Sequence, residues 1–283
     1  MERLARGVAE LESLGFRVRV PEGIGERVRF TAGTIDRRVA ELHGLLADDD
    51  VSAIVCARGG SGSTALLGRL DPRLAADHPK VFVGYSDATA LHLWFGAAGL
   101  VTFHGPMAAR ELSDGAYVRD SFWQAVTGEG APYATEADDL VALRPGSARG
   151  RLVGGCLSLL ASAAGTRWAL ADLHEPRILF LEDVDEPPYR IDRMLVQLRE
   201  SGALQGVGGI VFGDMKGCAP PIRADFGLEE VLLEALAGLE IPIAIGLSSG
   251  HASSPAVTLP FGVQARLTCG ADTRLEILET AVS

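Results

Sequence analysis

No apolar run in this chain approaches the roughly 20 residues of a membrane-spanning helix, and no block of clustered Lys and Arg is present. The first absence leaves a soluble protein as the expectation. The second, with a net charge of −11, argues against nucleic acid and anionic membrane as main partners, because both are held by grouped cations. Cysteine is scarce as well. Cys56, Cys156, Cys218 and Cys269 stand far apart without any Cys-x-x-Cys spacing, so neither a zinc site nor a disulfide framework is indicated. Reduced thiols in the cytoplasm are expected. The opening stretch MERLARGVAELESLGF sets acids among apolar residues in a helical pattern, unlike a secretory signal.

What is present is the composition of a globular protein, 47% hydrophobic and 22% charged, at a length of 283 residues that exceeds a single hydrophobic core. Short β-rich apolar runs bounded by glycine alternate with helical patterns, the signature of strands joined by crossover helices. The fold class read from this is α/β, with a largely parallel sheet. In the first half the pattern predicts helices over 2–14, 34–46, 64–70 and 88–95, and strands over 17–20, 53–56, 81–83 and 101–103. From Gly128 to Gly150 the chain is polar, rich in Gly, Pro and Asp, and without a helical period, so a connection is expected there. The resulting division is an N-terminal domain over 1–127, a linker over 128–150 and a C-terminal domain over 151–283. The second unit is expected to hold a small-residue segment over 152–165, strands over 178–181, 209–212, 263–267 and 275–278, and helices over 191–200 and 228–236.

The segment KVFVGYSDATALHLWF sets Ser86 directly after a buried strand and before a helix, the context in which a G-x-S-x-G elbow exposes a nucleophilic hydroxyl. Ala88 stands at its last position. The amide of Asp87 would point outward at such a helix start, toward a developing oxyanion. The competing reading is that Ser86 caps the helix. A nucleophilic serine needs a base. His43 and His92 lie within helical patterns, and His78 and His174 lie in polar loops before strands. His104 and His251 each follow a strand-like run, where open α/β sheets build their sites, and His251 is approached by Ser248-Ser249-Gly250. An orienting acid is found in Glu182, at the end of Ile178-Leu179-Phe180-Leu181. Asp183 should face the other way if the strand continues. The alternative for Glu182, Asp183, Asp185 and Glu186 is a solvated loop or a carboxylate metal site, which no His/Cys spacing supports.

The loop Ala57-Arg58-Gly59-Gly60-Ser61-Gly62-Ser63-Thr64 resembles a phosphate cradle but lacks both the Gly-Lys-Ser/Thr ending and the G-x-G-x-x-G fingerprint. Its glycines either bring backbone amides to a substrate oxygen or serve a tight turn.

Together the stretches ARGGSGSTALL, FVGYSDATALH, TFHGPM, GRLVGGCLSLL, ILFLEDVDEPPYRIDRMLVQLRESG, GIVFGDMKGC, SSGH and TLPFGVQARL, in this order, resemble the LD-carboxypeptidase family of muramoyltetrapeptide carboxypeptidases and the related microcin C immunity peptidases. The resemblance extends from about Gly7 to the C-terminus. It implies an N-terminal α/β domain, a smaller β-rich C-terminal domain and a Ser-Glu-His triad falling on Ser86, Glu182 and His251. It also implies an oxyanion hole from the amides of Asp87 and Gly60, no metal or other cofactor, and a homodimer. The implied reaction is hydrolysis of the amide between the L-centre of a diamino acid and a terminal D-alanine in a small muropeptide. The microcin branch would instead cleave a peptidyl or aminoacyl nucleotide, and a weakly catalytic muropeptide-binding homologue is a third reading. Three departures stand out. The chain begins within the family's first helix, so a preceding strand and cleft loop are expected to be absent. Ser61 replaces a common tyrosine and Cys156 a common asparagine, so substrate contacts are expected to differ there.

Overall fold

The computed structural model describes residues 1–130, 132–135, 139–170 and 175–282. His174, one of the loop histidines considered above, lies outside the described residues. In chain order the strands are β1 (Ala53–Val55), β2 (Val81–Gly84), β3 (Thr102–His104), β4 (Tyr133–Ala134), β5 (Val141–Arg144), β6 (Gly146–Cys156), β7 (Arg177–Glu182), β8 (Val207–Gly213), β9 (Ile243–Leu247), β10 (Leu259–Phe261), β11 (Gln264–Cys269) and β12 (Arg274–Ile277). They make a four-stranded sheet ordered β1-β2-β3-β10 and an eight-stranded sheet ordered β4-β12-β11-β6-β7-β8-β9-β5. β1, β2 and β3 run parallel, as do β6, β7, β8 and β9.

Strand β7 is buried at every position, which is why its sequence reads as a continuous apolar run rather than an alternation. Leu179 and Leu181 face one core with the helices Leu157–Ala163, Pro188–Glu200 and Leu228–Ala235, whereas Ile178 and Phe180 face a second core built with β10, β11 and β12. In the smaller sheet Phe82 packs with Trp94 and Phe95 of the helix Thr89–Ala97, and Val83 packs on the opposite side with Leu11 and Phe122. Both sheets thus sit between two apolar layers, and the ends of β2, β3 and β7 come together where Tyr85, His104 and Glu182 meet.

Several expectations change. Residues 17–20 form no strand: Phe16 and Val18 are half-buried against a core cluster while Arg17 and Arg19 are exposed, so the period of two reports a buried face with no neighbouring strand on which to ladder. Residues 64–70 form only a 3-10 turn at Leu67–Arg69, because Asp71 already caps a new helix, Pro72–Asp77, by accepting from the Arg73 amide at 3.0 Å. The stretch from Gly128 to Gly150, expected as a connection, supplies β4, β5 and the start of β6 to the larger sheet. Strand β10, from the C-terminal half, pairs antiparallel with β3, placing Leu259 opposite His104.

Candidate active site

Ser86 has φ of 62°, the left-handed region that a non-glycine residue rarely enters. The strain is imposed by what surrounds the turn. Before it, the Gly84 carbonyl is held by His92 Nε2 at 2.8 Å. A side chain on Gly84 would meet Cys56 Sγ at 2.7 Å. After it, the carboxylate of Asp87 accepts from the Ser63 amide at 3.0 Å and the Ser63 hydroxyl at 2.8 Å, tying the glycine loop to the turn. A Cβ on Gly59 would come within 3.0 Å of Ser86 Oγ, so this glycine is required by the serine itself. Ser86 makes no side-chain capping bond, and neither the 3-10 turn Ser86–Ala88 nor the helix Thr89–Ala97 is capped by it. The capping alternative is therefore overturned.

Glu182 ends β7 and is 1% exposed, and His251 lies in the loop after β9. Glu182 Oε2 accepts from His251 Nδ1 at 2.7 Å and from the His251 amide at 3.1 Å, so one oxygen fixes both ring and backbone. With Nδ1 engaged, Nε2 is the ring nitrogen left to take a proton. The ring edge meets Tyr85, the residue before Ser86, with centroids 4.9 Å apart. The structure thus joins Glu182 to His251 directly and brings His251 against the elbow, while Ser86 Oγ makes no hydrogen bond to His251 among the described residues. Burial alone would raise the Glu182 pKa, but His104 and His251 outweigh it and hold the carboxyl below its usual range. Burial alone would lower the His251 value, and Glu182 reverses it to a net rise.

The other candidates separate. Asp183 turns away from Glu182 and accepts from the Ser158 and Val184 amides at 2.8 and 2.9 Å, at the start of the helix Leu157–Ala163. His43 accepts from the Asp71 amide, and His78 lies 3.7 Å from Asp49, both away from Ser86's surroundings. His92 is buried, with its pKa pushed down to about 3 mainly by burial, and it bridges Thr102 and Gly84 as a neutral ring. Glu186 pairs with Arg190 at 3.4 Å. Gly60 has φ of 139° and open space where a Cβ would stand. Ser61 beside it is exposed. Cys156 is buried and lies in register with Glu182 on the neighbouring strand. The four cysteines are free thiols.

The model of the LD-carboxypeptidase N-terminal domain matches residues 1–105 and that of the LD-carboxypeptidase C-terminal domain matches residues 149–267. The chain belongs to the LD-carboxypeptidase family. It is 37% identical over 287 residues to a probable murein peptide carboxypeptidase of Bacillus subtilis, covering 100% of this chain and 88% of the relative. To the murein tetrapeptide carboxypeptidase of Pseudomonas aeruginosa it is 34% identical, covering 86% and 81%. Among solved structures, muramoyltetrapeptide carboxypeptidase from Oxalobacter formigenes superimposes with a TM-score of 0.85 at 32% identity, covering 98% of this chain and 95% of that one. The microcin C7 self-immunity protein MccF superimposes at 0.89 with 26% identity, covering 100% and 92%.

In this member of the LD-carboxypeptidase family, local sequence signals do not reveal two features of the site. The Asp87 side chain, considered only for its amide, clamps the glycine loop through Ser63; an acid just after a candidate nucleophile was the available sign. His104, the other histidine that follows a strand, lies on the other side of Glu182, with Nε2 3.8 Å from Oε1. Both histidines follow strands, and both reach the same carboxylate.

Proposed function

We propose that this protein is a serine carboxypeptidase that hydrolyses the L,D-amide bond releasing terminal D-alanine from murein tetrapeptides. The observation that carries the reading is the strained Ser86 elbow next to a His251 whose Nδ1 is bound by buried Glu182. In the proposed reaction His251 Nε2 takes the Ser86 proton as Oγ attacks the scissile carbonyl carbon. The resulting oxyanion is held by the amides of Asp87 and Gly60. Collapse of the adduct breaks the C–N bond, His251 gives the proton to the departing D-alanine amine, and an ester on Ser86 remains. Water then attacks that ester with His251 again as base, and the proton returns to Ser86 Oγ. Glu182 holds the tautomer and offsets the charge on the imidazolium at each turn.

The murein substrate is favoured over an aminoacyl nucleotide by the higher identity to the murein carboxypeptidases, 37% and 34%, than to MccF, 29%. The test is release of D-alanine from a purified tetrapeptide by the protein and by its Ser86→Ala variant. The reading expects release by the first and a loss of about 10⁴-fold or more in the second. Release undiminished in Ser86→Ala, or preference for an aminoacyl-sulfamoyl adenosine in direct competition, contradicts it.

A further inference from the structure

Two buried polar atoms at the site have no hydrogen-bond partner, and they face each other: His104 Nε2 and Glu182 Oε1, 3.8 Å apart. The two side chains are 0% and 1% exposed. The separation is too long for a direct hydrogen bond and within the reach of an ion pair. What His104 presents to the carboxylate follows from its other nitrogen. Ser249 Oγ lies 2.9 Å from the Val257 carbonyl, which can only accept, so the single hydroxyl proton points there. The serine oxygen, 3.0 Å from His104 Nδ1, is left as an acceptor, and Nδ1 carries a hydrogen. A bare lone pair on Nε2 would then face a carboxylate oxygen with no proton between them, an uncompensated contact in the core. A hydrogen on Nε2 removes that conflict and sets a cation against the anion.

The backbone closes over the pair. Gly250 has φ of 79°, and a Cβ on it would meet His104 Cε1 at 2.7 Å and Glu182 Oε2 at 2.9 Å. The titratable groups packed around the His104 ring are Tyr85, His92 and Glu182, and Phe180 and Phe261 complete its surroundings. His251 stands beyond Glu182 and also feels Asp183 and Arg110.

We propose that His104 is a positioning residue of the Glu182 carboxylate, holding hydrogen on both ring nitrogens, one given to Ser249 Oγ and the other directed at Glu182 Oε1. The consequence for catalysis rests on the functional reading above. With part of its charge already met by His104, Glu182 orients His251 without binding the His251 proton so tightly that the base is lost near neutrality.

Nitrogen-edited imidazole NMR of the unmodified protein reads the protonation of His104 directly, with its signals assigned by their loss in His104→Gln, and needs no catalytic activity. Both ring nitrogens are expected to carry hydrogen. A single neutral tautomer overturns the proposal. In His104→Gln, the His251 midpoint is expected to rise by about one pH unit, because Glu182 then acts on His251 alone. An unchanged or lowered midpoint contradicts the proposal, since a residue that merely fills space would not move it. Ser249→Ala, which removes the acceptor for Nδ1, is expected to shift the midpoint in the same direction, and a midpoint that stays in place also counts against the proposal. Absence of D-alanine release by the unmodified protein would instead overturn the functional reading and leave these spectra interpretable.

Discussion

At residue scale, the geometry of Ser86 and the electrostatics of His251 make separable predictions. A Cβ on Gly59 would stand 2.9 Å from Ser86 Cβ and 3.0 Å from its Oγ, so Ser86 fills the space a side chain would need. Gly59→Ala is therefore expected to displace the serine and lower kcat by about 10²-fold; steady-state kinetics checks this. Glu182 holds the His251 pKa above its ordinary 6.5. Because a base must be neutral to act, the acid limb of kcat/KM is expected to lie above pH 6.5. In Glu182→Gln that limb should move to lower pH while the rate falls by about 10³-fold or more. A limb that stays in place would show that Glu182 does not set the base.

At the scale of elements, the glycine loop and the elbow form one unit through Asp87. Asp87→Ala strips two donors of their acceptor in a buried setting, and denaturant unfolding should show a loss of about 2–3 kcal/mol. Ser63→Ala, which keeps the amide contact to Asp87 and loses the hydroxyl's bonds to Asp87 and Arg38, should cost about 1 kcal/mol. Elements of this kind were legible where the chain's own chemistry dictates them. The apolar run 178–181 is a strand covered on both faces, and the step from VFVG to a helix forces the turn at Ser86. The strand expected over 17–20 marks only a buried face, because hydrogen-bond pairing depends on a neighbour that local sequence does not specify. Strands β4, β5 and β10 escaped for a related reason: they are short, and pairing with distant strands holds them. The site shows the same division. Ser86, Glu182 and His251 each carry a local sign, a residue of suitable type at a strand end. Nothing local shows that Glu182 meets a histidine 69 residues away, or that His104 meets the same carboxylate from the other sheet.

At the scale of the whole molecule, the two halves are interlocked. β10 completes the four-stranded sheet beside His104, and Val282 packs in the cluster that holds Leu11 and Phe122. A fragment of residues 1–127 is therefore expected to lack cooperative unfolding, whereas the full chain should give coincident transitions by circular dichroism and tryptophan fluorescence. The buried pair also imposes a pH window on stability. The lowered Glu182 value adds stability above the unfolded carboxyl value of 4.5, lost as pH falls through the folded value. The raised His251 value adds stability present below 6.5, lost as pH rises through the folded value. The difference in melting temperature between the protein and His251→Gln should be largest between these limits and shrink toward alkaline pH. The proposed role of Ser86 as nucleophile of a hydrolase working on murein tetrapeptides is tested by labelling with a fluorophosphonate and mapping the adduct by peptide mass spectrometry. One adduct is expected, on Ser86, formed more slowly in the presence of tetrapeptide; an unlabelled Ser86 in protein that still releases D-alanine would contradict this role.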